Sequence, residues 1–160
     1  MKLIIGLGNP SESYVNTRHN VGHLFVDELK NHNLPNGVTL KKSDTFMNES
    51  GDFVKKMTDQ YKLDLSDLFI VHDDLDIKLG EYKIQFGRGP KDHNGLGSVN
   101  DALGTDQYWH IRMGVDNRPL DNRPLGTEYV LQNFSDEEKE VLDKVIKEAV
   151  NDLIEKVRVQ

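Results

Sequence analysis

The sequence predicts a single-domain α/β sandwich, a mixed and mostly parallel β-sheet with helices on both faces. Three observations predict it. Short apolar runs such as KLIIGL at residues 2–7 have the length of buried strands, and longer segments with apolar residues at helical spacing separate them. The 160 residues are enough for one continuous core and too few for two substantial ones.

The elements follow in chain order. Lys2 to Leu7 reads as a first strand that runs into a turn at Gly8, Asn9 and Pro10. Thr17 is expected to cap a helix carrying Val21, Leu24, Phe25 and Leu29 on one face and ending near Asn33 to Gly37. A short strand at Val38 to Leu40 and a helix from Asn48 to Tyr61, with Phe53, Val54 and Met57 inward, come next. Asp67 to Val71 is expected to be a buried strand ending at His72, and Glu81 to Phe86 alternates like another strand. His93 to Leu103 suits a helix and Trp109 to Val115 a strand. Ser135 with Glu138 three residues on forms a capping box for a last helix, whose inward stripe is Val141, Leu142, Val145, Ile146, Ala149 and Leu153. No internal repeat, linker or low-complexity tract is expected.

Bulk properties exclude several chemistries. Cysteine is absent, which removes thiol nucleophiles, disulfides and thiolate zinc sites together and fits a reducing compartment, so a cytoplasmic location is expected. No stretch approaches the roughly 20 apolar residues of a membrane helix, and the N-terminal apolar run is too short for a signal peptide. The formal net charge of −7 opposes a polyanionic partner, yet acidic residues crowd Asp136 to Glu155 while Lys83, Arg88, Lys91, Arg112, Arg118 and Arg123 lie in the middle. Any nucleic-acid contact is expected on that middle section.

Polar residues cluster where a parallel sheet binds ligands, beyond the carboxyl ends of its strands. Asn9 follows the first strand, His72 and Asp73 follow a later one, and His93 and Asn94 open a helix. GLGNP lacks the G-x-G-x-x-G spacing of a dinucleotide loop and reads equally as a tight turn. His19, near a helix start, can take a proton from water, or can be an ordinary surface or core histidine. HDDLD at 72–76 offers cation ligands, a carboxylate to orient a histidine, or simply an Asp-rich turn. Neither a G-x-S-x-G elbow nor an H-E-x-x-H pair occurs, so direct attack by water is the more economical hydrolytic route.

Read together and in order, GLGNP (6–10), TRHNVG (17–22), TFMNESG (45–51), HDDLD (72–76) and HNGL (93–96) resemble the bacterial-type peptidyl-tRNA hydrolase family. The resemblance continues through HIRMGV (110–115), EYVL (128–131) and the acidic last helix, covering essentially the whole chain. It implies a monomeric esterase that releases peptides from tRNA without cofactor or metal, gripping the acceptor stem and 3′ end of peptidyl-tRNA. By resemblance, His19 is the general base and Asp73 orients its ring. Asn9, Asn48 and Asn94 match positions that hold the peptide carbonyl, the water and the terminal ribose, with His93 beside them. Tyr14 matches a residue next to the terminal adenosine and Met47 an apolar wall, while Lys83 and Arg112 match basic positions that grip phosphate.

The sequence also departs from the family pattern. NLPNGVTLKKSD at 33–44 replaces a longer strand-bearing segment, so a hairpin is expected to be missing. Ser43 stands for a usual proline and Gln85 for a second phosphate-binding lysine, and Pro90, Lys91 and Asp92 interrupt a glycine-rich approach to His93. Arg88 and Lys91 are expected to replace the lost charge. Two other functions fit parts of the pattern. One is a catalytically silent RNA-binding relative, against which retention of His19, Asp73 and the three asparagines weighs. The other is a metal-dependent hydrolase built on His72, Asp73, Asp74 and Asp76.

Overall fold

A computed structural model describes residues 1–159. Its five strands are β1 (Lys2–Gly6), β2 (Val38–Lys42), β3 (Leu68–Lys78), β4 (Tyr82–Phe86) and β5 (Trp109–Asp116). They form one sheet in the order β2-β1-β3-β5-β4, parallel throughout except for β4, which pairs antiparallel with β5 at the edge. The helices are α1 (Val21–Leu29), α2 (Ser50–Gln60), α3 (Asn94–Leu103), the single turn α4 (Gly126–Tyr129) and α5 (Asp136–Val159).

Strand periodicity sends alternate side chains to opposite faces and builds two cores. Ile4, Phe69, Val71, Ile111 and Met113 pack with Val21, Phe25 and Leu29 of α1 and Leu142, Val145 and Ala149 of α5. Leu3, Ile5, Leu68 and Ile70 pack on the other face with Phe53, Val54 and Met57 of α2 and Leu96 and Val99 of α3. Each of these side chains larger than alanine contributes about 1.5–3 kcal/mol of burial free energy. Helices therefore cover both faces, as the alternation of strand and helix patterns predicts.

Two glycines set how close the helices come. A Cβ on Gly22 would lie 2.5 Å from the carbonyl oxygens of both Leu7 and Val71, so α1 starts directly against the end of β1 and the first half of β3. A Cβ on Gly51 would lie 2.1 Å from the Ser98 carbonyl oxygen, and the Gly51 N–H donates to Ser98 Oγ at 2.8 Å, which locks α2 onto α3. Both glycines close motifs that carry site residues, TRHNVG and TFMNESG.

Several boundaries differ from expectation. HDDLD is no turn. β3 runs through it to Lys78, in register with β5 as far as Asp74, because Asp73 and Asp74 each find buried partners that make strand conformation tolerable for carboxylates. Thr17 does not cap α1; its hydroxyl donates to the Tyr14 carbonyl at 2.8 Å, and a 3₁₀ turn, Arg18–Asn20, leads into the helix. α1 ends at Leu29, short of the expected Asn33, because its apolar stripe ends there. Val141 is 43% exposed, while Ile154 and Val157 join the stripe of α5 instead. The segment at 33–44 supplies one parallel edge strand, β2. One repeat was overlooked: DNRPL occurs in tandem at 116–120 and 121–125, and Asp116 accepts from both Arg118 and Arg123.

Candidate active site

Asp73 stands at the centre of the site. It is 1% exposed, at the middle of β3, and its two oxygens take one histidine each. His19 Nδ1 lies 2.8 Å from Oδ2 and His93 Nε2 2.7 Å from Oδ1, with the two rings 5.0 Å apart. His93 caps α3: its Nδ1 accepts the Leu96 N–H at 3.1 Å. That bond fixes the tautomer, so Nε2 carries the proton donated to Asp73.

The same reasoning fixes His19. An ionised carboxylate only accepts, so His19 presents Nδ1–H to Asp73 and keeps a lone pair on Nε2. Burial opposes protonation of His19, and the charge and hydrogen bond of Asp73 outweigh it, so the ring titrates above the ordinary histidine value of 6.5. Burial alone would raise Asp73, yet the two histidines hold it well below the usual carboxylate range.

The loop carrying His19 is clamped from behind. The N–H groups of Arg18 and His19 donate to the carbonyls of Gln132 and Val130 at 3.1 and 2.8 Å. Arg18 reaches past them, stacks 3.8 Å over the Tyr129 ring and pairs with Glu138 at 2.7 Å, both side chains buried. Glu138 Oε1 also accepts the Ser135 N–H, and Ser135 Oγ the Glu138 N–H, completing the expected capping box. The box therefore ties α5 to the residue next to His19, a role that spacing along the chain does not reveal.

Asn9 is buried on the other side. Its backbone N–H donates to Asn20 Oδ1 at 2.8 Å and its carbonyl accepts from Asn20 Nδ2 at 2.9 Å, so Asn20, absent from the sequence-based site, mimics a strand partner. Asn9 Oδ1 accepts the Met47 N–H at 2.7 Å, which orients the amide and leaves its NH₂ as the donor end. Ser43, where proline is usual, pins the preceding turn: its hydroxyl bonds both the N–H and the carbonyl of Gly8, at 3.1 and 3.2 Å. His23 lies 3.2 Å from the same hydroxyl and is pushed down to about 4 by burial and by Lys42.

Three of the remaining predicted residues, Asn48, Lys91 and Asn94, meet His93 in one place. A groove of about 770 Å³ between α2 and α3 is lined by Asn48, Asp52, Lys91, His93, Asn94 and Ser98. His93 belongs to both groove and triad. Met47 is buried beneath, and Tyr14 stands half-buried on the 3₁₀ turn Glu12–Tyr14. Lys83 and Arg88 are exposed on β4 and the loop after it.

Arg112 turns inward. It is 5% exposed, with Nε donating to Asp74 Oδ2 at 2.7 Å and Nη1 to Gln85 Oε1 at 2.8 Å, so most of its guanidinium serves the protein interior rather than a phosphate. This also explains Gln85, whose amide oxygen is an acceptor that a lysine would lack. The metal reading on His72, Asp73, Asp74 and Asp76 loses its geometry: His72 turns to His110, Asp74 to Arg112, and Asp73 to His19 and His93. Among the described residues, the ligand atoms of His19, Asp73 and His93 do converge within 4.8 Å. Their 2.7–2.8 Å separations are those of shared protons, and we read them as hydrogen-bonded partners, not as metal ligands.

The sequence profile of the peptidyl-tRNA hydrolase family matches residues 3–159. This chain belongs to that family. A peptidyl-tRNA hydrolase of Campylobacter concisus is 39% identical over 171 positions, covering 96% of this chain and 90% of the relative. One of Geobacillus kaustophilus is 37% identical over 169 positions, covering 94% and 90%. The crystal structure of a peptidyl-tRNA hydrolase from Acinetobacter baumannii superposes with a TM-score of 0.84 at 28% identity, covering 99% of this chain and 90% of that one. In this peptidyl-tRNA hydrolase family member, no helix among the described residues is long and apolar enough to cross a membrane.

Proposed function

We propose that this chain hydrolyses the ester between a peptide and the 3′-terminal ribose of tRNA by direct attack of water, with His19 Nε2 as the general base. The observation that carries the reading is the shared carboxylate: Asp73 takes one N–H from His19 and one from His93, which leaves Nε2 of His19 as a bare base. An aminoacyl ester is already activated, so a positioned water, a base near neutral pKa and donors to the oxyanion suffice without metal.

The step balances without other reactants. Water oxygen attacks the ester carbonyl as its proton passes to His19 Nε2, and the charge on the carbonyl oxygen is met by N–H donors. Two sets are available: the NH₂ of Asn9, free once Met47 fixes its oxygen, and the first N–H groups of α3. In α3, His93 takes those of Leu96 and Gly97, which leaves Asn94 and Gly95 as donors. The intermediate collapses as the bond to the ribose oxygen breaks and His19 returns its proton to that oxygen. Free peptide acid and a 3′-hydroxyl result.

Asn48 and Asn94 in the groove hold the water and the terminal ribose, and Tyr14 and Met47 wall the terminal adenosine and the peptide. Lys83, Arg88 and Lys91 meet the phosphates of the acceptor stem. A monomer working in the cytoplasm belongs to the same reading. The test compares N-acetylaminoacyl-tRNA with free aminoacyl-tRNA in the presence of EDTA. Selective cleavage of the blocked ester supports the reading; loss of activity with EDTA, restored by a divalent ion, rejects it.

A further inference from the structure

The α3 face of β3 and β5 buries two histidines that this mechanism leaves unused. His72 is 0% and His110 1% exposed. His72 Nδ1 lies 3.0 Å from the Asp73 carbonyl oxygen, His72 Nε2 3.3 Å from His110 Nδ1, and His110 Nε2 3.2 Å from the Asp106 carbonyl oxygen. Both ends of this chain are carbonyls, which only accept, and a neutral imidazole carries a single N–H. Two neutral rings therefore bring two protons to three links.

We propose that His72 and His110 are positioning residues for the reaction, a pair one proton short of filling its links, which fixes the main chain of Asp73 beneath His19 and His93. The proposal rests on the reading of Asp73 and His19 given above. The position of the gap follows from burial. The two inner links are enclosed, and a lone pair facing a lone pair or a carbonyl there has no water to relieve it. The outer link to Asp106 is only part-buried, so it is the one left empty. His72 then donates from Nδ1 to Asp73, His110 donates from Nδ1 to His72, and the third proton enters at His110 Nε2.

The surroundings keep the pair neutral near pH 7. His72 is faced by His93 of α3, by His110 and by Asp73, and burial first, then the two histidines, holds it well below the ordinary value. His110 is faced by Asp106, Arg112 and His93, and burial dominates over the help of Asp106, so it too is lowered. Gln85 is its register partner on β4, and Gly89 closes over it, where a Cβ would lie 3.0 Å from Nδ1. The Tyr108 ring stacks on it at 4.3 Å and its hydroxyl donates to Asn100 of α3 at 2.6 Å. The pair thus ties the strand bearing Asp73 to the helix that His93 caps.

Ring nitrogen NMR on ¹⁵N-histidine-labelled protein, titrated from neutral to acid, tests this without reference to activity. At neutral pH both rings are expected as Nδ1–H tautomers, with a single proton then entering at His110 while His72 stays neutral. A proton on His72 Nε2 at neutral pH, or two independent protonations, overturns the proposal. In kinetics, His72→Phe is expected to lower kcat about tenfold or more with KM little changed. His110→Ala is expected to lower kcat likewise, and the conservative His110→Asn, whose amide nitrogen stands in for Nδ1, to lower it less. Full kcat in His72→Phe alongside an inactive His19→Ala rejects this inference alone, whereas an active His19→Ala rejects the site reading beneath it. Should His72→Phe fail to fold, the wild-type tautomers decide.

Discussion

His19 and Asp73 are joined by one 2.8 Å hydrogen bond, from ring Nδ1 to carboxylate Oδ2, across 54 residues of sequence. The bond selects the tautomer as well as the place of the ring. Asp73→Asn changes the first while preserving the second, because an amide NH₂ toward Nδ1 drives the ring proton to Nε2 and blocks the base. The variant is expected to lose about 10²–10⁴ in kcat with little change in KM, measured on N-acetylaminoacyl-tRNA.

The pH dependence follows from the raised pKa of His19. The base works only when neutral, so kcat falls as pH drops through a value above 6.5. In Asp73→Ala the raising partner is gone and burial, which lowers, remains. The acid limb of log kcat against pH is then expected to move to lower pH, at a much reduced plateau. For stability the sign is opposite: the His19 contribution is present below 6.5 and is lost as pH rises through its folded value.

Glu138 links the last helix to the loop that bears His19, pairing with Arg18 at 2.7 Å where neither side chain reaches solvent appreciably. Glu138→Ala leaves a buried guanidinium unpaired and removes the capping box together. A loss of about 3 kcal/mol or more is expected in urea denaturation. Arg18→Met combined with Glu138→Ala, which removes both charges, is expected to be milder than Glu138→Ala alone.

Gly22→Ala places a methyl 2.5 Å from two backbone carbonyl oxygens, neither of which can move without shifting β1 or β3. It is expected to cost about 1–3 kcal/mol, read as a lowered Tm, and to lower kcat because α1 carries the His19 loop with it.

Much of this was legible in the sequence because it follows local rules. Apolar runs and helical spacing located the five strands, the long helices and both cores, and the order of the short motifs located His19, Asp73 and His93. The failures share a cause. Asp73 and Asp74 read as turn formers because aspartate lowers strand propensity, and only partners brought from residues 19, 93 and 112 make them strand residues. The charge of Arg112 is visible in sequence while its buried partner on the neighbouring strand is not. Asn20 was missed for the same reason, as was the reach of Glu138 beyond its capping box, since nothing local shows that one bonds the backbone of Asn9 and the other Arg18.

With Arg112 turned inward, the proposed grip on tRNA rests on the exposed cations of the β4 region. Arg88→Glu with Lys91→Glu is expected to raise KM for peptidyl-tRNA several-fold, leave kcat nearly unchanged and flatten the dependence of KM on salt. Arg112→Gln is expected instead to lower stability, because Asp74 loses its partner.

The most direct measurement is the single-turnover rate of His19→Ala at saturating peptidyl-tRNA, beside wild type, on protein whose melting is unchanged. Removing the base is expected to slow ester cleavage by about 10²–10⁴-fold while substrate still binds. A variant that cleaves within a few-fold of wild type would contradict proton transfer to His19.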